Sequence, residues 1–137
     1  MSAPKIGVVS CSGECCDVGT ISRIATRFVL EKLRPDNTVT ICLPLFSIGE
    51  GGERMFTKYF PTIAVDGCEK KCAKKTLEAS DAKLVASFSV VNVLRDNIGL
   101  KPEDVTFLDE DGRKLSRILA EKIASKVNEL NHKGVVS

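Results

Sequence analysis

The feature of this sequence that most restricts its fold is the alternation of short β-branched runs with segments of helical periodicity. "KIGVVS" and "TIAVDG" are typical of strands buried on both faces, and "TISRIATRFVLEKL" repeats apolar residues at helical spacing. Strands that alternate with helices form βαβ units around a parallel sheet. The predicted strands are residues 5–10, 38–45, 62–67 and 83–90, and the predicted helices are residues 20–33, 47–60, 68–79, 91–99 and 112–130.

This pattern predicts a single α/β domain over residues 1–137, built as a three-layer sandwich. Its sheet would contain roughly four parallel strands in a flavodoxin-like or Rossmann-like order, with helices on both faces and an amphipathic helix at the C-terminal end. A chain of 137 residues suits one such core. The segment "VTFL" at residues 105–108 fits either a short edge strand or an apolar loop.

Charge and hydropathy argue against two classes of partner, nucleic acids and membranes. The formal net charge is +2, and the only locally basic stretch, "EKKCAKK", reads as a solvated helix face, so we expect no nucleic-acid partner. No apolar run reaches the length of about 18 residues needed for a membrane span, so no membrane partner is expected. The start "MSAPKIGVV" lacks the pattern of a secretory signal, which makes the cytoplasm the expected compartment.

Six cysteines stand out in a chain of this kind, because structural disulfides are rare in the cytoplasm. Cys11 and Cys15 follow the first predicted strand, and Cys68 and Cys72 follow the third with the same spacing. If these strands are neighbours, both pairs face the crevice at the carboxyl ends of the sheet. Four convergent thiolates form a tetrahedral site suited to Zn²⁺ or to an iron–sulfur cluster.

The cysteines also differ in the secondary structure predicted around them. Cys15 and Cys16 precede a predicted helix, and Cys68 and Cys72 are expected one turn apart at the start of another, where the helix dipole favours a thiolate. Cys16 is an alternate ligand to Cys15. Cys42, near the end of the second predicted strand, fits a ligand role on the same rim and the role of a small buried hydrophobe about equally well.

The motif "VDGCEKKC", with "CSGECC" before it and "CLPLFSIGEGG" between them, resembles the DGC-domain family, whose members are described as zinc-binding proteins. The resemblance covers about residues 5–100 and leaves residues 101–137 as a C-terminal extension. It implies metal binding through Cys11, Cys68 and Cys72, which match by position. Cys15 stands one place later than the family's second cysteine, and Cys42 matches its middle one. The resemblance implies no particular reaction.

Other uses of the same residues remain open. The cysteines could bind an iron–sulfur cluster, or serve thiol redox and sulfur-transfer chemistry, and a partner-binding role is a third hypothesis.

A separate candidate site is an anion site. Gly51, Gly52 and Arg54 lie between a strand and a helix, where an anion can bind, although a plain turn is the simpler interpretation. Because His132 is the only histidine and lies near the C-terminal end, no histidine base is expected beside the thiols.

Overall fold

The computed structural model describes residues 5–103 and 107–132 as a four-stranded parallel sheet with helices on both faces. The strand order is β2-β1-β3-β4, which confirms the predicted α/β class and makes the first and third strands neighbours. The strands are β1 (Ile6–Ser10), β2 (Thr38–Val39), β3 (Thr62–Asp66) and β4 (Leu84–Ser89), and the helices are α1 (Asp17–Phe28), α2 (Leu43–Ser47), α3 (Gly51–Tyr59), α4 (Cys72–Ala79), α5 (Val90–Asp96) and α6 (Glu110–His132).

Alternation along the two central strands builds a core on each side of the sheet. On one face, Val8 and Val65 pack against α1, α5 and α6 in the larger apolar cluster. On the other face, Val9 and Ala64 join a smaller cluster with residues of α2 and α4. Because both faces are covered, the central positions of these strands, residues 7–9 and 63–65, carry only glycine and aliphatic residues.

Helix α6 belongs to the larger core. Its buried side chains face α1 and α5 and repeat at helical spacing, as the sequence predicted. Within the described residues no helix is both long enough and apolar enough to cross a membrane. The buried apolar residues of α6 are Leu115, Leu119, Ala120, Ile123, Ala124, Val127 and Leu130.

The second predicted strand is shorter than expected. Only Thr38–Val39 pairs with β1, and the chain then forms α2 at Leu43–Ser47. Pro44 explains the change, because proline cannot donate to a strand ladder but is well suited to the first turn of a helix. The buried ring of Phe46 then completes the smaller core.

Two other element boundaries differ from the sequence prediction. Helix α1 begins at Asp17 rather than near residue 20, and a π-helical segment, Val29–Leu33, follows it. Helix α4 begins at Cys72, so Cys68 lies in the preceding loop and not on the same helical face. Of the undecided segment 105–108, residues 105 and 106 lie outside the described residues, and Phe107 and Leu108 are not part of a strand.

Candidate metal centre

The carboxyl ends of β1 and β3 bring two cysteine-bearing loops together. Ser10 is in register with Val65, and the N–H of Cys11 extends the pairing by donating to the carbonyl of Val65 at 2.9 Å. Cys11 therefore leaves β1 beside the point where Gly67 and Cys68 leave β3. The adjacency that the sequence predicted for these two cysteines follows directly from the strand order.

Close backbone packing draws the first turn of α1 into the same place. A Cβ on Gly19 would stand 2.2 Å from the carbonyl oxygen of Gly13, and a Cβ on Gly67 would stand 2.7 Å from the backbone nitrogen of Gly19. Neither contact is compatible with a side chain. The β1–α1 loop, the N-terminus of α1 and the β3–α4 loop thus meet backbone to backbone, and glycine at positions 19 and 67 is what permits it.

Asp66 fixes the other end of the β3–α4 loop. Its buried carboxylate accepts hydrogen bonds from the N–H groups of Ala73 (2.7 Å) and Lys74 (3.1 Å), in the first turn of α4. It therefore acts as the helix cap in place of Lys71, which precedes α4 in the left-handed conformation (φ 52°). Cys68 and Cys72 lie at either end of the loop that Asp66 closes.

Cys11 is half-buried and accepts or shares two hydrogen bonds at its sulfur. The N–H of Gly67 donates to Sγ at 3.3 Å, and the Ser22 hydroxyl lies 3.4 Å from Sγ. The Cys11 side chain also packs against the smaller apolar cluster. Its sulfur is thus held between the β3–α4 loop and α1, with a backbone donor already directed at it.

Cys16 also lies close to Gly13. It is the residue before α1, and its Sγ is 3.7 Å from the position that a Cβ on Gly13 would occupy. The Sγ of Cys11 is 4.0 Å from that same position. Both sulfurs therefore lie within 4.0 Å of the position where a side chain on Gly13 would begin.

Burial raises the pKa of the Cys16 thiol above its ordinary value, and the nearby charges of Cys15, Cys68 and Asp17 raise it further. The backbone N–H of Gly19 acts in the opposite direction but is outweighed. The sequence-based expectation that the helix N-terminus favours a thiolate is not met at this position, because desolvation dominates.

Of the remaining cysteines, Cys68 is half-buried and the other three are exposed. Cys15 precedes Cys16 at the surface, and Cys72 is the first residue of α4. Cys42 precedes α2, and its N–H donates to the carboxylate of Glu53 at 2.9 Å. Cys42 therefore lies beyond the end of β2, in a segment held against α3. All six cysteines are free thiols.

The thiols do not stand in a ready-made cage. Among residues 5–103 and 107–132, no group of three or more Cys, His, Asp or Glu side chains has the spacing to hold a metal ion. The backbone nevertheless converges, and cysteine side chains change position by rotation about χ1. The donor set is all thiol, which suits Zn²⁺ and iron–sulfur clusters and does not suit Mg²⁺ or Ca²⁺.

The glycines suggested for anion binding have a different setting. Gly51 and Gly52 begin α3 in open surroundings. Arg54 is engaged with α2, because its Nε donates to the carbonyl of Phe46 at 2.6 Å and its guanidinium lies 4.8 Å from the centre of the Phe46 ring. Arg54 therefore connects α3 to α2 through these two contacts. The structure does not test anion binding at this place, which stays a sequence prediction.

Three contributors to the site escaped the sequence analysis. Ser22 contacts Cys11 from the second turn of α1, Asp66 caps α4, and Gly13 lies close to the sulfurs of Cys11 and Cys16. Asp66 had a signal, since it begins the motif "DGC". Ser22 had none, because a serine inside an amphipathic helix is ordinary.

The comparisons with known proteins give one positive finding. A family model described as "DGC domain" matches residues 7–117, a range that contains all six cysteines and extends into α6. No curated protein and no solved structure matches the chain.

Proposed function

Since this chain belongs to the DGC-domain family, we propose that it binds one metal ion, with Zn²⁺ the expected species, through cysteine thiolates at the carboxyl ends of β1 and β3. The observation that carries the proposal is that the N–H of Gly67, the residue before Cys68, donates to Sγ of Cys11 at 3.3 Å, while the sulfurs of Cys11 and Cys16 both lie within 4.0 Å of the position that a Cβ on Gly13 would occupy. These three thiols would form the inner part of the site.

The fourth ligand would come from the exposed cysteines. The sequence favoured Cys11, Cys15, Cys68 and Cys72, with Cys16 and Cys42 as alternates. Partial burial beside Gly13 favours Cys16 over Cys15 as the inner ligand, and Cys72, at the end of the loop that begins with Gly67, is the preferred fourth ligand. Cys42 is the least favoured, because its segment is held by Glu53 of α3.

Four thiolates leave no open coordination position, so such a zinc would be structural, stored or handed to another site, and would not be a catalytic centre. Tetrahedral Zn–S bonds of about 2.3 Å would require all four sulfurs to turn toward one point. The zinc ion would deprotonate its ligands on binding, as thiolate sites generally require. We propose no catalysed reaction.

The second candidate, an iron–sulfur or thiol-redox protein, uses the same cysteines. A redox nucleophile is usually a thiolate with a lowered pKa, and the raised pKa of Cys16 argues against that role for this residue. An iron–sulfur cluster has no such difficulty, because its iron also binds deprotonated thiols. The cytoplasm, which keeps thiols reduced, is the compartment that suits either candidate.

A series of Cys→Ser variants tests the assignment. Cys11→Ser, Cys16→Ser and Cys68→Ser should each lower Zn²⁺ content and weaken Zn²⁺ binding in a chelator competition. Cys42→Ser is the matched control, since it removes an exposed thiol outside the proposed site. Equal zinc content in all four variants and the wild type would refute the proposed ligand set. Iron with sulfide in the wild type would favour the second candidate.

A further inference from the structure

A groove that opens to solvent lies between α1 and the N-terminal part of α6. Its cavity has a volume of about 400 Å³. A second cavity of about 330 Å³ adjoins it, because Ile24 and Arg113 line both. Cavities of this size are typical of sites that bind small organic molecules. We call the two together the α1–α6 groove.

The floor of the α1–α6 groove is apolar. Ile24 and Phe28 lie four residues apart on one face of α1, and both are half-buried. Leu108, just before α6, lines the adjoining cavity, and it packs with Phe28 against the larger core. Thr20, which also lines that cavity, lies eight residues before Phe28, a distance of about 12 Å along the helix. The floor is therefore long enough for an extended hydrocarbon chain.

The rim of the groove is cationic. Arg113, Lys114 and Arg117 come from α6, and all three are exposed. Among the described residues that line the first cavity, Glu110 is the only carboxylate, and it lies 3.3 Å from the ammonium group of Lys114. The ammonium group is thus compensated, and the two guanidinium groups leave the rim with an excess of positive charge.

Both guanidinium groups are held beside the apolar floor. The Cζ atom of Arg117 lies 5.1 Å from the centre of the Phe28 ring, and Nη1 of Arg113 donates to the carbonyl of Leu108 at 2.5 Å. Neither guanidinium forms an ion pair within the part of the chain that the structure describes. Since each guanidinium carries five N–H donors, both retain donors for an acceptor that enters the groove.

This combination selects a ligand with an apolar body and an anionic head. A guanidinium group matches the two oxygens of a carboxylate with two parallel hydrogen bonds, and an apolar chain gains by covering half-buried side chains. A cationic ligand would meet like charge at the rim. Because the cavity volume is that of a small-ligand site, we favour a small acid over an acidic helix of a protein partner.

We propose that the α1–α6 groove binds a medium-chain organic acid, with its chain on Ile24 and Phe28 and its carboxylate between Arg113 and Arg117. No cysteine lines the groove among the described residues. The proposal is therefore independent of the proposed metal site, and it gives the chain a second ligand of a different class.

Calorimetric titration with decanoate tests this site. The wild type should bind one decanoate per chain, and Arg113→Gln and Arg117→Gln should each weaken binding about tenfold, because a hydrogen bond to a charged group is lost. Arg95→Gln is the matched control, since Arg95 is an exposed arginine of α5 that donates to Asn92 and lies outside the groove. Decanol, which has the same chain without the charge, should bind at least about tenfold more weakly than decanoate.

Amide chemical shifts locate the bound acid. Decanoate should shift the amide signals of Ile24, Phe28 and Arg117. The signals of Gly67 and Cys68 should keep their positions, because these residues belong to the cysteine-bearing loops. Both arginine variants should unfold at the wild-type urea concentration, since the substituted side chains are exposed.

Several results would overturn the proposal. These are no binding of decanoate by the wild type, equal affinity for decanoate and decanol, or arginine variants that bind as tightly as Arg95→Gln. Binding of an acidic amphipathic peptide in the groove, without binding of decanoate, would assign it to a protein partner instead. Zinc content measured on the same samples should be equal in all variants, so a failure of the acid site and a failure of the metal site are distinguishable.

Discussion

At the scale of single residues, three glycines determine how closely the backbone segments that carry the thiols can approach one another. Gly19 and Gly67 allow three backbone segments to touch, and any larger residue would push them apart. Gly13 has a different role, because a Cβ there meets only ordinary van der Waals neighbours, 3.5 Å or more away. The three positions therefore give substitutions with different expected consequences.

Gly67→Ala should destabilise the fold. Its methyl would stand 2.7 Å from backbone atoms of Val18 and Gly19, which cannot move aside as a flexible side chain can. We expect a loss of about 1–3 kcal/mol in the free energy of unfolding, measured by urea denaturation. Gly52→Ala is the control, since nothing lies within 4 Å of its added methyl. Equal stability of the two variants would contradict the close packing of the loops.

Gly13→Ala should weaken metal binding while leaving the fold intact. The added methyl would stand 3.7 Å from Sγ of Cys16 and 4.0 Å from Sγ of Cys11, in the space between the two proposed ligands. Zinc would need to lie about 2.3 Å from both sulfurs, so the methyl obstructs their approach. We expect at least about a tenfold loss of Zn²⁺ affinity, within the range seen when the surroundings of a metal are disturbed.

The same Gly13→Ala protein should unfold at nearly the wild-type temperature, because its new contacts are of ordinary length. Unchanged Zn²⁺ affinity together with unchanged stability would show that no metal ion binds between Cys11 and Cys16. That result would direct attention to the exposed thiols.

At the scale of elements, the β3–α4 unit depends on a cap that comes from the strand. Asp66 is the last residue of β3, yet it accepts hydrogen bonds from the first turn of α4. The cap fixes the length and course of the loop from Gly67 to Lys71. The sequence places Asp66 beside the cysteines but gives no sign that its partner is the helix beyond them.

Asp66→Asn should loosen this unit. An amide of similar shape offers one acceptor oxygen where the carboxylate has two, so one N–H of α4 loses its partner. We expect a loss of about 1–2 kcal/mol in the free energy of unfolding, the usual value of a helix cap, together with weaker Zn²⁺ binding. Asp36→Asn, at an exposed position, should change neither quantity. A fully stable Asp66→Asn protein would contradict the capping role.

At the scale of the whole molecule, much of the architecture is readable from periodicity. The aliphatic runs "KIGVVS" and "TIAVDG" became adjacent buried strands, and the spacing of Leu115 through Leu130 identified the apolar face of α6. The predicted strand at residues 38–45 forms only at Thr38–Val39, and α2 replaces its end, where Pro44 in the first turn and the buried ring of Phe46 favour a helix. Helical and strand patterns are not distinguishable in such a short apolar run.

The grouping of cysteines was readable only in part. Their positions after alternate strands predicted that Cys11 and Cys68 would be neighbours, and the strand order brings their loops together. Spacing left both Cys15 and Cys16 open as ligands, whereas the structure shows that Cys16 directly precedes α1 and has its Sγ 3.7 Å from the position of a Cβ on Gly13. The contact of Ser22 with Cys11 depends on how α1 packs on the sheet, which no local pattern encodes.

The structure also predicts that a substitution in the core lowers the stability of the fold without changing the zinc stoichiometry. Leu119 is fully buried between α6 and its neighbours, so Leu119→Ala should lower the free energy of unfolding by about 2–5 kcal/mol. The folded fraction should still bind zinc with the wild-type stoichiometry, because α6 carries none of the proposed ligands. Ile98→Ala, at a side chain 82% exposed, is the control and should change stability little. Loss of zinc stoichiometry in Leu119→Ala would contradict this separation.

The central claim concerns the metal, and the most direct test is elemental analysis of the full chain purified without oxygen and without a histidine tag, alongside a count of its free thiols. The account predicts about one zinc per chain and fewer reactive thiols than the six cysteines of the metal-free protein. Iron with equimolar sulfide would contradict zinc and retain the thiolate site. The absence of both metals, with six reactive thiols and no uptake of added Zn²⁺, would contradict the account as a whole.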